Sequence, residues 1–267
     1  MSLTMSGRPL SSAPPQTVNY RIDAPQHRLL FDPFPRRVRT LFAGETVLDT
    51  TRGMLLHESN LLPQLYVPRE DVNTDLLKAT DHTTHCPFKG DAAYWSVVAG
   101  GRTAENAVWA YPEPLEAAGW LRGYLAPYWD RLDAWFDEDE EVQGHLRDPY
   151  HRLDARPSSR YVEVRAGDEV IAQTRRPVVV SETGLPNRFY VPPQDVQPEV
   201  LELSAKHTVC PYKGTASYRS LRLPGRLLRD AAFCYPQPLE GARPIAGLLC
   251  FLAEGIETRV DGQQVPR

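Results

Sequence analysis

Short runs of alternating apolar and polar residues follow one another along most of the chain, and glycine or proline separates many of them. Val38 to Thr50 predicts two strands around the turn Ala43-Gly44-Glu45, and Met54 to Glu58 predicts a third. Ala92 to Val98 predicts a further alternating strand. Helical periodicity is scarce, with short helical turns predicted only near Arg69–Lys78 and at its counterpart later in the chain. This pattern is typical of a mainly β protein.

One stretch, Leu121 to Trp135, fits either a strand or a helix by its pattern alone. Gly123 and Pro127 interrupt any helix there, because glycine lowers helix stability and proline removes a backbone donor. We therefore predict a strand at the start of this stretch.

The second half of the chain repeats the first. The segment Cys86-Pro87-Phe88-Lys89-Gly90 returns as Cys210-Pro211-Tyr212-Lys213-Gly214, 124 residues later (210 − 86). Placing Met54–Asp130 on Val178–Glu254 at that constant offset gives 27 identities in 77 positions without a gap. A repeat of about 100 residues is long enough for a complete domain, so the sequence indicates two tandem domains of one fold.

The predicted organisation has four parts. Residues 1–34 form a proline-containing N-terminal extension, partly disordered, and residues 35–140 form the first repeat domain. Residues 141–157 form an acidic and proline-containing linker, and residues 158–260 form the second repeat domain. Each domain is predicted to be a compact β-rich unit, a folded sheet or barrel-like, with short helical turns. We expect the two repeats to pack about a pseudo-twofold axis.

Composition narrows the classes of partner. A 267-residue chain with 42% hydrophobic and 24% charged residues is ordinary for a folded protein, and its net charge of −4 provides no field that attracts nucleic acid or anionic lipid. No run of eighteen apolar residues and no apolar signal-peptide core are present, so we predict a cytoplasmic protein with no membrane partner. Its four cysteines are widely spaced without a CxxC pair, which indicates reduced thiols.

Lysine is rare in this chain. Only four of the 30 basic residues are lysine, and two of them, Lys89 and Lys213, occupy the same place in the two repeats. An ammonium is compact whereas a guanidinium is a planar fork, so these positions favour a site that needs an ammonium. Three interpretations of Lys89 are open: it holds a ligand anion, it forms a structural ion pair with Glu58 or Glu116, or it lies in solvent.

The repeated Cys-Pro segment suggests a reactive thiol. Cys86 would need a lowered thiol pKa, which the ammonium of Lys89 or the imidazole of His82 or His85 would provide. Cys86, Lys89 and His85 are the catalytic candidates. The alternative is that Cys86 is a small buried apolar residue, with the proline ending a strand and the glycine forming a turn. His82, His85 and Cys86 also have the character of zinc ligands, but the second repeat lacks both histidines, and we predict no metal.

Aromatic and polar residues of the first repeat form a second candidate set, here for ligand binding. Its members are Tyr66, Tyr94, Trp95, Glu105, Asn106, Trp109 and Tyr111. The alternative is that the aromatic residues fill the core of a β domain. The second repeat replaces Trp95, Glu105, Asn106 and Trp109 by Arg219, Arg229, Asp230 and Phe233. If only one domain binds a ligand, the sequence therefore favours the first.

These segments together resemble the domain-of-unknown-function family 427. The resemblance is carried by the His82 to Gly90 segment, Ala92 to Trp95, Glu105 to Pro114 and Tyr128-Trp129-Asp130. Two copies would cover about 200 residues, on the scale of two ordinary domains. The resemblance implies a compact β-rich domain and no established reaction.

Two functions follow as hypotheses. In the first, the first domain binds a small anionic or carbonyl-bearing metabolite in an aromatic pocket beside Lys89, with or without catalysis by Cys86 or His85. In the second, the protein is a non-enzymatic scaffold or interaction module, and the Cys-Pro segment is structural. The sequence assigns no cofactor and leaves open whether the protein is an enzyme.

Overall fold

A computed structural model describes residues 3–4, 8, 11, 13, 17–21 and 23–266, and the chain divides into two units. The units are residues 1–150 and 151–267. Within the predicted N-terminal extension, residues 1–34, positions 1–2, 5–7, 9–10, 12, 14–16 and 22 lie outside the described residues. Both units are built from antiparallel strands with short 3₁₀ helices, so the mainly β fold class with two similar domains is confirmed. No helix in the described part of the chain has the length and apolar character needed to cross a membrane.

The first domain contains eleven strands among its described residues. They are β1 (Leu29–Pro33), β2 (Val38–Phe42), β3 (Glu45–Thr50), β4 (Met54–Glu58), β5 (Gln64–Pro68), β6 (Leu77–Cys86), β7 (Gly90–Ala99), β8 (Arg102–Ala110), β9 (Tyr124–Pro127), β10 (Ala134–Asp137) and β11 (Glu140–Glu141). The 3₁₀ helices are Arg69–Asp71, Thr74–Leu76 and Glu116–Leu121. One sheet has the order β1-β4-β5-β9-β8-β7-β6 and the other β11-β10-β2-β3. Both are open, so the folded-sheet expectation holds for these residues and the barrel-like alternative does not.

The second domain repeats this plan in the described residues. Its strands are β12 (Leu153–Pro157), β13 (Val162–Ala166), β14 (Glu169–Thr174), β15 (Val178–Glu182), β16 (Arg188–Tyr190), β17 (Leu201–Cys210), β18 (Gly214–Leu223), β19 (Arg226–Cys234), β20 (Cys250–Phe251), β21 (Glu257–Val260) and β22 (Gln263–Gln264). Its 3₁₀ helices are Pro193–Asp195, Pro198–Val200 and Glu240–Ile245. The strand orders are β12-β15-β16, β17-β18-β19-β20 and β14-β13-β21-β22. A bridge between Val191 and Leu249 links the first two of these sheets, as β5 pairs with β9 in the first domain.

Several strands have the same bounds in both domains after the 124-residue offset. The hairpin β6–β7 corresponds residue for residue to β17–β18, and both carry a register shift at the same place, after Ala79 and after Leu203. Strand β1 lies in residues 1–34 and its equivalent β12 in residues 141–157, the segments that the sequence analysis set apart as extension and linker. The repeated unit therefore begins before the positions where the sequence analysis placed its start.

Alternation along the central strands divides the buried residues of the first domain into two clusters. Adjacent residues such as Leu65 and Tyr66, or Val108 and Trp109, belong to different clusters because successive strand side chains point to opposite faces. One cluster joins the seven-stranded sheet to strands β2, β3 and β10. The other, on the opposite face, is aromatic and includes residues of the Glu116–Leu121 helix. This aromatic face carries the Cys-Pro segment.

The stretch from Leu121 to Trp135 begins with the end of a 3₁₀ helix, continues as β9 and ends in β10. A strand near its start is thus confirmed. Gly123 has a positive φ of 83°, a conformation in which a continuing right-handed helix is not possible.

Candidate functional site

A buried carboxylate lies between an ammonium and an imidazole in the first domain. Lys89 is 7% exposed, and its Nζ donates a hydrogen bond to Oε2 of Glu58. The other oxygen of the carboxylate, Oε1, is 2.8 Å from Nε2 of His27. The imidazole of His27 stacks on Phe88 with ring centroids 3.7 Å apart. We call His27, Glu58 and Lys89 the first triad.

Local backbone structure places each member of the first triad. Glu58 is the last residue of β4, His27 precedes β1, and β1 and β4 pair in antiparallel register from Leu29 opposite Glu58. Lys89 lies in the tight turn between β6 and β7, where its N–H donates to the carbonyl of Cys86 at 3.2 Å. Three separate chain segments therefore meet at one carboxylate.

The second domain has the same arrangement, formed by His151, Glu182 and Lys213, which we call the second triad. Nζ of Lys213 donates to Oε1 of Glu182 at 2.5 Å, and Nε2 of His151 lies 3.5 Å from Oε2. The ring of His151 packs on Tyr212 with centroids 4.0 Å apart. Burial alone would raise the pKa of Glu182, but the contacts with His151 and Lys213 outweigh it, and the pKa lies below its ordinary value. The carboxylate is therefore charged at neutral pH and stabilised by its two partners.

Sequence reasoning missed both histidines. The segment His27-Arg28-Leu29 recurs as His151-Arg152-Leu153 at the same offset of 124, upstream of the stretch that was aligned. The hydrogen bonds of this segment recur too: the N–H of Arg28 donates to Ser59 Oγ at 2.9 Å, and the N–H of Arg152 to Thr183 Oγ1 at 2.8 Å. Extending the repeat upstream would have shown that this histidine recurs, although its contact with the glutamate is visible only in the structure.

Of the two partners proposed for Lys89, the structure selects Glu58, and Glu116 lies exposed at the start of a 3₁₀ helix. Cys86 is half-buried and packs against the aromatic cluster near Tyr111. His85 points elsewhere: its Nδ1 is 2.6 Å from Oδ1 of Asp91, and both side chains are largely exposed. Cys86 and Lys89 therefore share Tyr111 as a neighbour, whereas His85 lies apart from them with Asp91.

Four of the seven ligand candidates belong to one buried aromatic cluster. They are Tyr66, Tyr94, Trp109 and Tyr111. Burial, followed by the proximity of Tyr111, raises the pKa of Tyr66, and burial together with Cys86 raises that of Tyr111. Both phenols therefore stay protonated at neutral pH.

Trp95 does not join that cluster. It packs against the other core cluster, and Arg69 lies over its ring with 5.8 Å between Cζ and the ring centroid. Tyr94 and Trp95 are adjacent on β7 and therefore project to opposite faces of the sheet. Trp95 and Trp109 therefore belong to different clusters on opposite faces of the sheet.

Glu105 and Asn106 lie at a bulge between β7 and β8. The bulge gives Asn106 a positive φ of 50°, and its backbone N–H donates to Ser96 Oγ at 3.1 Å. Oδ1 of Asn106 accepts a hydrogen bond from Thr80 at 2.6 Å. Asp230, Ser220 and Ser204 make the equivalent bonds in the second domain.

The bulge borders an open groove of about 470 Å³ on the surface of the first domain. Its lining is Lys78, Ala79, Thr80, His82, Ser96, Val98, Thr103, Glu105 and Asn106. At one end His82 packs against the ring of Tyr94 with centroids 4.4 Å apart, and Thr84 Oγ1 is 2.8 Å from the Tyr94 hydroxyl. The groove therefore ends beside the aromatic cluster. Burial and a hydrogen bond with Tyr94 raise the pKa of Tyr128, which also packs in this cluster, to about 12.

The corresponding surface of the second domain carries ion pairs. Glu202 and Arg222 occupy the positions of Lys78 and Val98, and their side chains form a salt bridge. Lys206, in the position of His82, lies 3.6 Å from Asp230 and over the ring of Tyr218. Lys78 and His82 are thus replaced by residues that form ion pairs, whereas Arg229, in the position of Glu105, makes no salt bridge among the described residues.

The family model described as a domain of unknown function, DUF427, matches residues 30–138 and 154–265. Each match begins three residues after the histidine of a triad (30 − 27 and 154 − 151), and each match contains the glutamate and lysine. No curated protein matches the chain.

Proposed function

We propose that this chain, which belongs to the DUF427 family and carries its domain twice, binds a small polar molecule in the groove of the first domain. The supporting observation is the contrast between the domains. In the first, Lys78, His82 and Glu105 face a groove of about 470 Å³, and in the second the Glu202–Arg222 salt bridge lies in the equivalent place. Ligand pockets are concave and carry a few placed polar groups.

This proposal keeps two of the ligand candidates, Glu105 and Asn106, and adds Lys78 and His82. It moves the binding position away from Lys89, because the ammonium of Lys89 is engaged by Glu58 inside the domain. The buried aromatic residues then support the end of the groove through Tyr94. The proposed setting remains the cytoplasm, with a small molecule as partner and no nucleic acid.

A metabolite screen by thermal shift on the full-length protein tests this proposal. A ligand at a hundred times its dissociation constant adds about 2.7 kcal/mol to the free energy of unfolding. Each hit is repeated on the double variant Lys78→Glu/Val98→Arg, which places the second domain's ion pair in the first. We expect this variant to fold normally and to lose the ligand-induced shift. Hits that shift the variant as much as the parent protein would refute binding in the groove.

The second candidate function, a non-enzymatic scaffold, is favoured by a different observation. In both domains the lysine and the histidine are engaged by the buried glutamate of the same domain. An arrangement needed for folding is expected to occur in both copies. In that case no metabolite shifts the melting temperature through the groove, and substitutions in either triad change only the free energy of unfolding.

A further inference from the structure

Opposite charges line the two sides of the groove. Lys78 and His82 belong to β6, whereas Glu105 belongs to β8, and β7 lies between these strands. Neighbouring strands are separated by about 4.8 Å, so the backbones of β6 and β8 are about 10 Å apart. The groove thus presents an ammonium and an imidazole on one side and a carboxylate on the other.

These charges lack ion-pair partners in the part of the chain that the structure describes. Neither Lys78 nor Glu105 makes a salt bridge there, whereas the second domain pairs Glu202 with Arg222 and Lys206 with Asp230. The first domain therefore has binding capacity for both signs of charge.

The floor of the groove between the charges is mixed in character. Ser96 of β7 lies opposite Lys78, and its Oγ accepts from the backbone N–H of Asn106 beside Glu105. The apolar lining residues are Ala79 and Val98, and Val98 is 40% exposed two residues further along β7. Asn106 uses its Oδ1 to accept from Thr80, and its amide N–H groups donate to none of the described residues. Two opposite charges with an exposed valine next to them and one amide donor fit a ligand that has a short methylene chain and a charge at each end.

On the basis of the proposed function, we infer that the groove ligand is zwitterionic, an amino-acid-type molecule whose ammonium and carboxylate are separated by several methylene groups. The carboxylate binds Lys78 and His82, the ammonium binds Glu105, and the methylene chain packs on Val98. A zwitterion places a group of opposite charge on each side of the groove, whereas a ligand with a single charge leaves either Lys78 or Glu105 without a partner.

NMR-monitored titration of the full-length protein with four probes tests the inference. The probes are 6-aminohexanoate, hexanoate, hexylamine and glycine. We expect 6-aminohexanoate to bind about tenfold more tightly than each of the others, the ratio for losing one charge-assisted hydrogen bond. Lys78→Met and Glu105→Gln are each expected to remove that advantage. Glu116→Gln, which neutralises an exposed carboxylate outside the groove, should leave it unchanged.

The outcomes separate this inference from the proposed function. If hexanoate or hexylamine binds as tightly as 6-aminohexanoate, with shifts at groove residues, the zwitterion is wrong and the groove remains the binding site. If none of the four probes binds, the zwitterion is also wrong, and the metabolite screen decides the groove proposal separately. If Lys78→Met binds 6-aminohexanoate as tightly as the parent protein does, the ligand carboxylate does not bind Lys78 and the assigned orientation is wrong.

Discussion

At the scale of single residues, the two triads explain why a chain rich in arginine retains lysine at two matched positions. A buried carboxylate is stable only if its lone pairs are satisfied, and in each domain one oxygen faces the lysine and the other the histidine. An ammonium fits the confined space beside Tyr111 or Tyr235, where each lysine lies about 6 Å from the ring centroid. The ion pair with the glutamate and the limited space beside the tyrosine ring together explain lysine at these positions.

The effect on stability of removing one charge of the first triad is predicted to depend on whether the other charge is present. Glu58→Gln leaves the ammonium of Lys89 buried without a counterion, and we expect a loss of about 3 kcal/mol in the free energy of unfolding. Lys89→Met should cost less, because Glu58 keeps its contact with Nε2 of His27 and no buried ammonium is left without a counterion. The double variant Glu58→Gln/Lys89→Met should be more stable than Glu58→Gln alone, as measured by urea denaturation.

Two comparisons control this experiment. Glu182→Gln in the second triad is expected to have a similar effect, and Glu113→Gln, which removes a surface partner of Arg122, should change the stability by less than about 1 kcal/mol. A double variant less stable than either single variant would show that the charges do not act as a pair.

At the scale of elements, the hairpin β6–β7 determines the geometry of both the triad and the groove. Its turn carries Lys89, its strand β7 carries Tyr94, and the adjoining bulge with β8 orients Asn106. The turn closes with Gly90 at a φ of 103°, and Gly214 has a φ of 98° in the second domain. Backbone shape rather than side-chain chemistry is required at these two glycines.

Gly90→Ala is predicted to be destabilising for two reasons. A side chain is strained at this φ, and the added Cβ would lie 3.3 Å from the carbonyl oxygen of Glu113. We expect a loss of about 1–3 kcal/mol, with a matching loss for Gly214→Ala, measured by thermal and urea unfolding. Gly119→Ala is the control, because nothing lies within 4 Å of its Cβ and its φ is not positive. Equal stability of Gly90→Ala and the parent protein would contradict the assigned turn.

At the scale of the whole molecule, each domain has its own hydrophobic clusters. The first domain has one centred on residues such as Val38 and Val97 and one that contains Tyr66, and the second has the equivalents around Val162 and Tyr190. A domain with its own core can in principle fold without its neighbour.

We therefore expect residues 1–150 and residues 151–267 to fold as separate fragments. The start of the second fragment at residue 151 is critical, because His151 completes the second triad and β12 forms the edge of the sheet beside β15. A fragment that starts at residue 158 lacks both and should be less stable or unfolded. Circular dichroism and NMR chemical-shift dispersion of the three fragments measure this. A folded 158–267 fragment as stable as 151–267 would contradict the importance of the His151 segment.

The sequence by itself determined the strand content, the duplication and the family, because alternation, turn residues and a constant offset of 124 are local or linear signals. It also identified Lys89 and Glu58 as possible partners. Only the tertiary structure decided that His27 joins them, since the pairing of β1 with β4 brings together residues 31 positions apart. It likewise separated Trp95 from Trp109, because the face of each side chain depends on strand register and on the bulge beside Ser96. The groove, too, arises from three strands side by side, and no linear pattern in one strand records which charges its neighbours place opposite it.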